Sequence, residues 1–226
     1  MSDCFRIVAF GDSMTACTAL EPARRWPALL QRRLNRAFTG VRFEVVNAGV
    51  GGNTSREGLA RIAADVLAWR PALTLVEFGG NDATTDPARV VEVAEFSRNL
   101  AAIRRRLQAI GSAAAWLTFP PVIDAWHGWS APENTAAHAK FLPAGGSDYF
   151  LHLYRQRTRA FAQRQGDLCI DLYAGMRQVI ERDGCGRFVM ADGVHFTPAG
   201  SRAAGAFVGQ ALLPYLGQAL GQVARR

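Results

Sequence analysis

The sequence predicts an α/β protein built on a parallel sheet with helices on both faces. Three observations carry this. Short apolar runs rich in β-branched residues alternate with longer stretches of helical period. Glycine-rich turns follow directly on three of those runs. Hydrophobic residues make up 49% of the 226 residues and charged ones 20%, enough apolar material for one large core. A single domain over residues 1–226 is the expectation at this length.

Phe5 to Phe10 reads as a first buried strand, ended by Gly11-Asp12-Ser13. A helix from about Arg24 follows, with Leu29, Leu30, Leu34 and Phe38 on one face. Val41 to Val46 reads as a second strand. It leads through a glycine-rich turn into a helix capped by Asn53 or Thr54, with Leu59, Ile62, Val66 and Leu67 inward. Leu73 to Phe78 is a third strand, broken by Gly79-Gly80-Asn81-Asp82. Pro87 suits the first turn of the next helix, which runs to about Ile110. Ala113 to Thr118 reads as a fourth strand and Leu168 to Leu172 as a short fifth. A last helix begins near Pro198. This alternation calls for a parallel sheet with right-handed crossovers.

One segment breaks the rhythm. Phe119 to about Tyr149 holds Pro120, Pro121, Pro132, Pro143 and Gly145-Gly146, together with Trp126, His127, Trp129 and Phe141. A loop of that length inside a compact domain is usually functional or disordered, and its aromatics point to an ordered, partly buried excursion. There is no internal repeat and no low-complexity tract.

Composition narrows the function classes. No apolar run is long enough for a transmembrane helix. The start, Met1-Ser-Asp-Cys-Phe-Arg, shows no secretory pattern, so a cytoplasmic location is the expectation. Cys4, Cys17, Cys169 and Cys185 form no C-x-x-C pair and read as reduced, buried small hydrophobes. The net charge is +7, but the arginines are spread over several helices, densest at Arg104-Arg105-Arg106, and no nucleic-acid motif accompanies them. The spacing of His and Cys shows no zinc pattern, and no metal or cofactor is called for.

Four segments carry the chemistry. Gly11-Asp12-Ser13, Gly49 to Asn53 and Gly79 to Asp82 each follow a strand, and ligands of an open parallel sheet bind outside the carboxyl ends of its strands. Asp192-Gly-Val-His195 precedes the last helix and can return to the same edge. Acyl transfer needs a hydroxyl nucleophile, a base and an orienter for the base. Ser13 supplies the hydroxyl. His195 is a base suited to neutral pH. Asp192 is near enough in sequence to fix its tautomer. Asn81 offers a side-chain donor for the oxyanion, and a nearby glycine allows close backbone approach. Singly, each segment is an ordinary turn. His127, His138 and His152 read as structural, and Trp26 and Trp116 as core.

Taken in order, Phe10-Gly-Asp-Ser13, Asn47-Ala-Gly-Val-Gly-Gly-Asn-Thr54, Gly79-Gly-Asn-Asp82 and Asp192-Gly-Val-His195 resemble the four blocks of the SGNH/GDSL hydrolase family. The resemblance implies a flavodoxin-like three-layer α/β/α sandwich around a five-stranded parallel sheet. It implies Ser13 as nucleophile and, through its N–H, one oxyanion donor. Gly52 matches the glycine donor, with Gly49 the alternative, and Asn81 the side-chain donor. Asp192 and His195 match the Asp-His pair. Asp12 and Asp82 read as loop braces. The implied activity is hydrolysis of a carboxylic ester through an acyl-serine, on a small-molecule or carbohydrate ester, with short acyl groups preferred. A lysophospholipase, thioesterase or acyltransferase using the same triad, or a binding module without turnover, are the alternatives. Neither nucleic acid nor membrane insertion is implied, and the oligomeric state is not readable.

Overall fold

The computed structural model describes residues 4–130 and 133–221. Five strands, β1 (Cys4–Gly11), β2 (Arg42–Gly49), β3 (Leu73–Glu77), β4 (Ala113–Leu117) and β5 (Leu168–Ile170), form one sheet of order β2-β1-β3-β4-β5. Every pairing is parallel, with Val8 opposite Val46 on one side and Thr74 on the other. β1 therefore stands between β2 and β3, so the chain reverses its direction across the sheet at β1. The cleft outside β1 and β3 is the switch point where such sheets bind ligands.

Ten α-helices and several short 3-10 turns lie among the described residues, the α-helices being α1 (Ser13–Ala16), α2 (Trp26–Ala37), α3 (Ser55–Asp65), α4 (Val93–Ala109), α5 (Thr135–Phe141), α6 (Ser147–Phe150), α7 (His152–Gln165), α8 (Leu172–Asp183), α9 (Cys185–Phe188) and α10 (Pro198–Leu220). α2, α8 and α10 pack together, and α3, α4 and α7 form the second set. With the sheet between them the result is a three-layer α/β/α sandwich. Apolar burial explains the layering: Ile7, Val8, Ala9 and Phe10 of β1 are fully buried, as central strands covered on both faces must be. Leu30 and Leu34 of α2, and Phe96, Ile103 and Leu107 of α4, supply the stripes that cover the sheet.

Helix starts follow local chemistry. Thr54 caps α3 in a reciprocal pair with Glu57, whose carboxylate accepts the Thr54 N–H at 2.7 Å. Thr54 rather than Asn53 is thus the cap. Thr197 caps α10 by accepting from the Gly200 N–H, and Pro198 holds the first helical position.

Two segments depart from the expected secondary structure. Pro87 does not open α4; it sits in a turn closed by the Asp86 carbonyl, which accepts from Arg89 and Val90, and the helix starts at Val93. Asp86 also accepts from the Ala88 N–H, an Asx turn that competes with a helix cap. The 119–149 excursion is also not a loop. It holds a helical turn at Gly128–Ser130, then α5, a second turn at Leu142–Ala144, and most of α6. Pro132 lies outside the described residues. The fully buried Arg155 of α7 anchors this excursion by donating to the carbonyls of Phe119 and Pro120 and to Asp148, with its guanidinium 4.0 Å from the Tyr173 ring centroid.

Cys17 is buried, and burial pushes its thiol up to about 12. Cys169 and Cys185 are part-buried, while Cys4 is exposed at the start of the edge-adjacent β1, against expectation. All four are unpaired thiols. No described helix is long and apolar enough to cross a membrane.

Candidate active site

Three loops meet at the switch point. The turn after β1 carries Ser13. The Asp12 carboxylate accepts the Met14 N–H at 2.8 Å and so starts α1 on the serine itself. The end of β2 and the turn after it carry Gly49 to Asn53, and the turn after β3 carries Asn81. Arg61 of α3 ties the first two together. Its guanidinium donates to the carbonyls of Gly11 at 2.8 Å and Ala48 at 2.9 Å, and to the Asn53 side chain at 2.6 Å. It also lies 4.7 Å from the Phe10 ring centroid.

Asp192 and His195 arrive from the loop before α10. Gly193, at φ +76°, allows the turn; a Cβ there would also come within 2.6 Å of the Ile123 carbonyl oxygen. The Asp192 Oδ1 accepts the N–H groups of Val194 and His195, both at 2.9 Å, which locks the loop around its own carboxylate. Asp192 Oδ2 is 2.7 Å from His195 Nδ1, and His195 Nε2 is 2.9 Å from Ser13 Oγ. Partial burial pushes the Asp192 carboxyl up, but the two amides and the histidine outweigh it and hold it below the usual range. The carboxylate stays ionised and fixes the proton of the ring on Nδ1, leaving Nε2 to accept from the serine hydroxyl.

A cavity of about 110 Å³ opens at this point, lined by Ser13, Gly80, Asn81, His195, Phe119 and Trp129 among others. Gly80 is required beside it because a Cβ would fall on the Phe119 ring. Asn81 reaches the cavity, but its amide nitrogen is committed: it donates to Asp12 Oδ2 at 3.0 Å and to the Asn53 carbonyl at 3.2 Å. The N–H groups of Ser13 and Gly52 donate to no group among the described residues. The Gly49 N–H, the alternative to Gly52, is consumed by the Asn47 side chain at 3.0 Å, which removes Gly49 from the candidates. A Cβ built on the neighbouring Gly51 would stand 3.9 Å from Ser13 Cβ.

Beneath the cavity lie buried carboxyls that sequence reading only partly anticipated. Asp12 is fully buried and burial pushes it up to about 6. Glu77, at the end of β3, is equally buried; burial and the neighbouring Asp12 raise it well above the carboxylate range. No N–H or O–H group of the described residues donates to Glu77 Oε1. Burial and the Asp12 carboxyl beside it favour the protonated form of Glu77. Asp82 accepts from the Ser55 N–H at 3.1 Å and from its hydroxyl, bracing the start of α3 against the Asn81 turn, and burial pushes it up to about 7.

His127 was expected to be structural, yet it lines the cavity beside His195, and burial holds its ring below the usual imidazole range. Phe119, Val122, Trp129 and Leu151 are further lining residues that no motif marks. Trp26 and Trp116 are core, as their apolar settings suggested. Among the described residues no group of three or more His, Cys, Asp or Glu is placed to hold a metal.

A parallel sheet of this order, with a Ser-His-Asp run at its switch point, defines a hydrolase-type site. Residues 9–203 match the GDSL-like Lipase/Acylhydrolase family, and the chain belongs to that family. Esterase TesA of Pseudomonas aeruginosa is 39% identical over 106 residues, which cover 47% of this chain and 50% of that protein. The match thus spans about half the length of that relative. An uncharacterized lipoprotein of Bacillus subtilis, YqeF, is 29% identical over 213 residues, 87% of this chain and 84% of its own. The crystal structure of the lipase/acylhydrolase from Enterococcus faecalis superposes with a TM-score of 0.71 at 25% identity, covering 92% of this chain and 94% of that one.

Proposed function

We propose that this protein is a carboxylic ester hydrolase that forms an acyl-enzyme on Ser13 and prefers short acyl groups. The observation that carries the reading is the continuous Asp192–His195–Ser13 hydrogen-bonded run, ending on a hydroxyl that faces a cavity of about 110 Å³. Such a run has one obvious use, to move a proton off the serine as it attacks a carbonyl.

In this reading His195 Nε2 takes the Ser13 proton while Oγ adds to the ester carbonyl carbon. The new oxyanion is met by the unused N–H groups of Ser13 and Gly52. Asn81 serves as the third donor by sharing the N–H that it otherwise gives to the Asn53 carbonyl, the longer of its two bonds. Collapse breaks the ester C–O bond, and His195 returns the proton to the leaving alcohol. Water then repeats the sequence on the acyl-serine and releases the acid. Asp192 keeps the imidazole oriented and stabilises its charged form throughout. The cavity volume supports short acyl groups, since it is well below the roughly 300–1,000 Å³ of sites that enclose drug-sized ligands.

The test is hydrolysis of p-nitrophenyl esters from acetate to dodecanoate by wild type, Ser13→Ala and His195→Ala. Turnover concentrated at acetate to butyrate, and lost in both variants, is the expected result. Turnover that survives in Ser13→Ala rejects the acyl-serine, and a maximum at long chains rejects the short-acyl preference.

A further inference from the structure

We propose that Trp129 is a specificity-determining residue, a partition that closes the catalytic cavity against a second cavity able to take an acyl chain. The proposal rests on the reading that the acyl group of the substrate is held in the cavity beside Ser13. The second cavity, of about 470 Å³, lies within the excursion and is lined by Trp129, Ala137, Phe141 and Leu142, with Asp124 and His138 among its polar residues. Among the described residues Trp129 alone lines both cavities.

The ring geometry shows how the partition is built. His127 lines the catalytic cavity and its ring centroid is 4.3 Å from that of Trp129. On its other side Trp129 stacks on Phe141 at 4.7 Å and 21°, and Phe141 lines the second cavity. Three rings therefore run in sequence from one space to the other, with the indole in the middle. The Trp129 N–H donates to His127 Nδ1 at 3.0 Å, which fixes where the indole leaves the backbone. Burial holds the His127 ring below the usual imidazole range, which favours its uncharged form beside the path of an alkyl chain.

The second cavity has a chemistry suited to such a chain. Phe141 and Ala137 are buried apolar wall, and Leu142, 64% exposed, stands at the open side. The Asp124 carboxylate is turned into the start of α6, where it accepts the Ser147 N–H at 2.9 Å, leaving the apolar wall dominant. At about 470 Å³ the space falls in the range of sites that enclose small organic ligands, whereas the space beside Ser13 does not. With Trp129 in place the two spaces are separate; without the indole they become one.

Two measurements test this. The first compares kcat/KM for p-nitrophenyl octanoate and acetate in wild type, Trp129→Ala and Trp129→Phe. The octanoate-to-acetate ratio is expected to rise at least tenfold in Trp129→Ala and to move less in Trp129→Phe. An unchanged ratio, with both esters falling together, reduces Trp129 to packing and overturns the proposal. The second needs no turnover: octanoate is titrated calorimetrically into Ser13→Ala and Ser13→Ala/Trp129→Ala. At least tenfold tighter binding to the double variant is expected, and equal affinity contradicts the partition even if the protein hydrolyses no ester at all. Absence of acetate turnover in wild type, by contrast, counts against the proposed function and not against the partition.

Discussion

His195 Nε2 and Ser13 Oγ stand 2.9 Å apart although 182 positions separate the two residues in the chain. Neither loop alone makes this contact. Asp12 sets the serine at the start of α1, and Asp192 folds its own loop so that the imidazole faces it. Removing either end of the contact should be about equally damaging. Ser13→Ala and His195→Ala are each expected to lower kcat for p-nitrophenyl acetate by about 10⁴–10⁶-fold, and the double variant no further. Asp192→Ala should cost less, about 10²–10⁴-fold, because the carboxylate orients rather than reacts. Additive losses in the double variant would mean that the two residues do not act as a unit.

Asn81 gives a second prediction. Its amide is held between Asp12 and the Asn53 carbonyl, at the mouth of the cavity. Asn81→Ala should lower kcat by about 10²–10³-fold with little change in KM, the signature of a contact made in the transition state. A rise in KM at unchanged kcat would assign it to substrate binding instead.

Arg61 is expected to matter without touching substrate. It joins the last residues of β1 and β2 to the glycine-rich turn through two carbonyls and Asn53, and it is largely buried. Arg61→Ala should destabilise the fold by about 2–3 kcal/mol, since hydrogen bonds from a charged donor are among the stronger ones. Arg61→Lys should recover little, because an ammonium cannot reach three acceptors with the geometry of a guanidinium. Urea unfolding of the three proteins measures this, and full recovery by lysine would contradict it.

Stability should fall as pH rises through neutrality. Burial raises Asp82 from 3.8 to about 7 and Asp12 from 3.8 to about 6, so the folded state holds protons that the unfolded chain has released. The stability these groups contribute is complete below about pH 4 and is lost as pH rises through their folded values. Asp82→Asn has no proton to lose. Relative to wild type it should gain on the order of 2–3 kcal/mol between pH 5 and pH 8, roughly 5–10 °C in Tm. Thermal melts of both proteins at the two pH values read this directly, and an equal difference at both would remove Asp82 as the titrating group.

What the sequence makes legible here follows from the range over which each interaction acts. The strands, the Gly-Asp-Ser turn and the Asp-Gly-Val-His loop are set by neighbours a few residues apart, and Ser13, Asn81, Asp192 and His195 converge as their turns suggest. Position before Asn53-Thr54 and the helix ranks Gly52 over Gly49; that the Asn47 side chain consumes the Gly49 amide is a matter of turn geometry. Pro87 misled because an Asx turn at Asp86 outcompetes the helix start. The excursion hid its helices because they are short and interrupted by proline and glycine, and they are held by Arg155 of α7, which lies outside the segment and donates to the Phe119 and Asp148 carbonyls. Glu77 carried no signal at all, since a lone acid at a strand end looks like a solvated one until β1 is laid beside it.

The most direct test of the account is to label the protein with a fluorophosphonate, which traps an activated serine by phosphonylation, and to map the adduct by peptide mass spectrometry. The account predicts one adduct, on Ser13, formed in step with loss of p-nitrophenyl acetate hydrolysis and absent from His195→Ala. An adduct on any other residue, or hydrolysis undiminished when Ser13 is fully labelled, would contradict it.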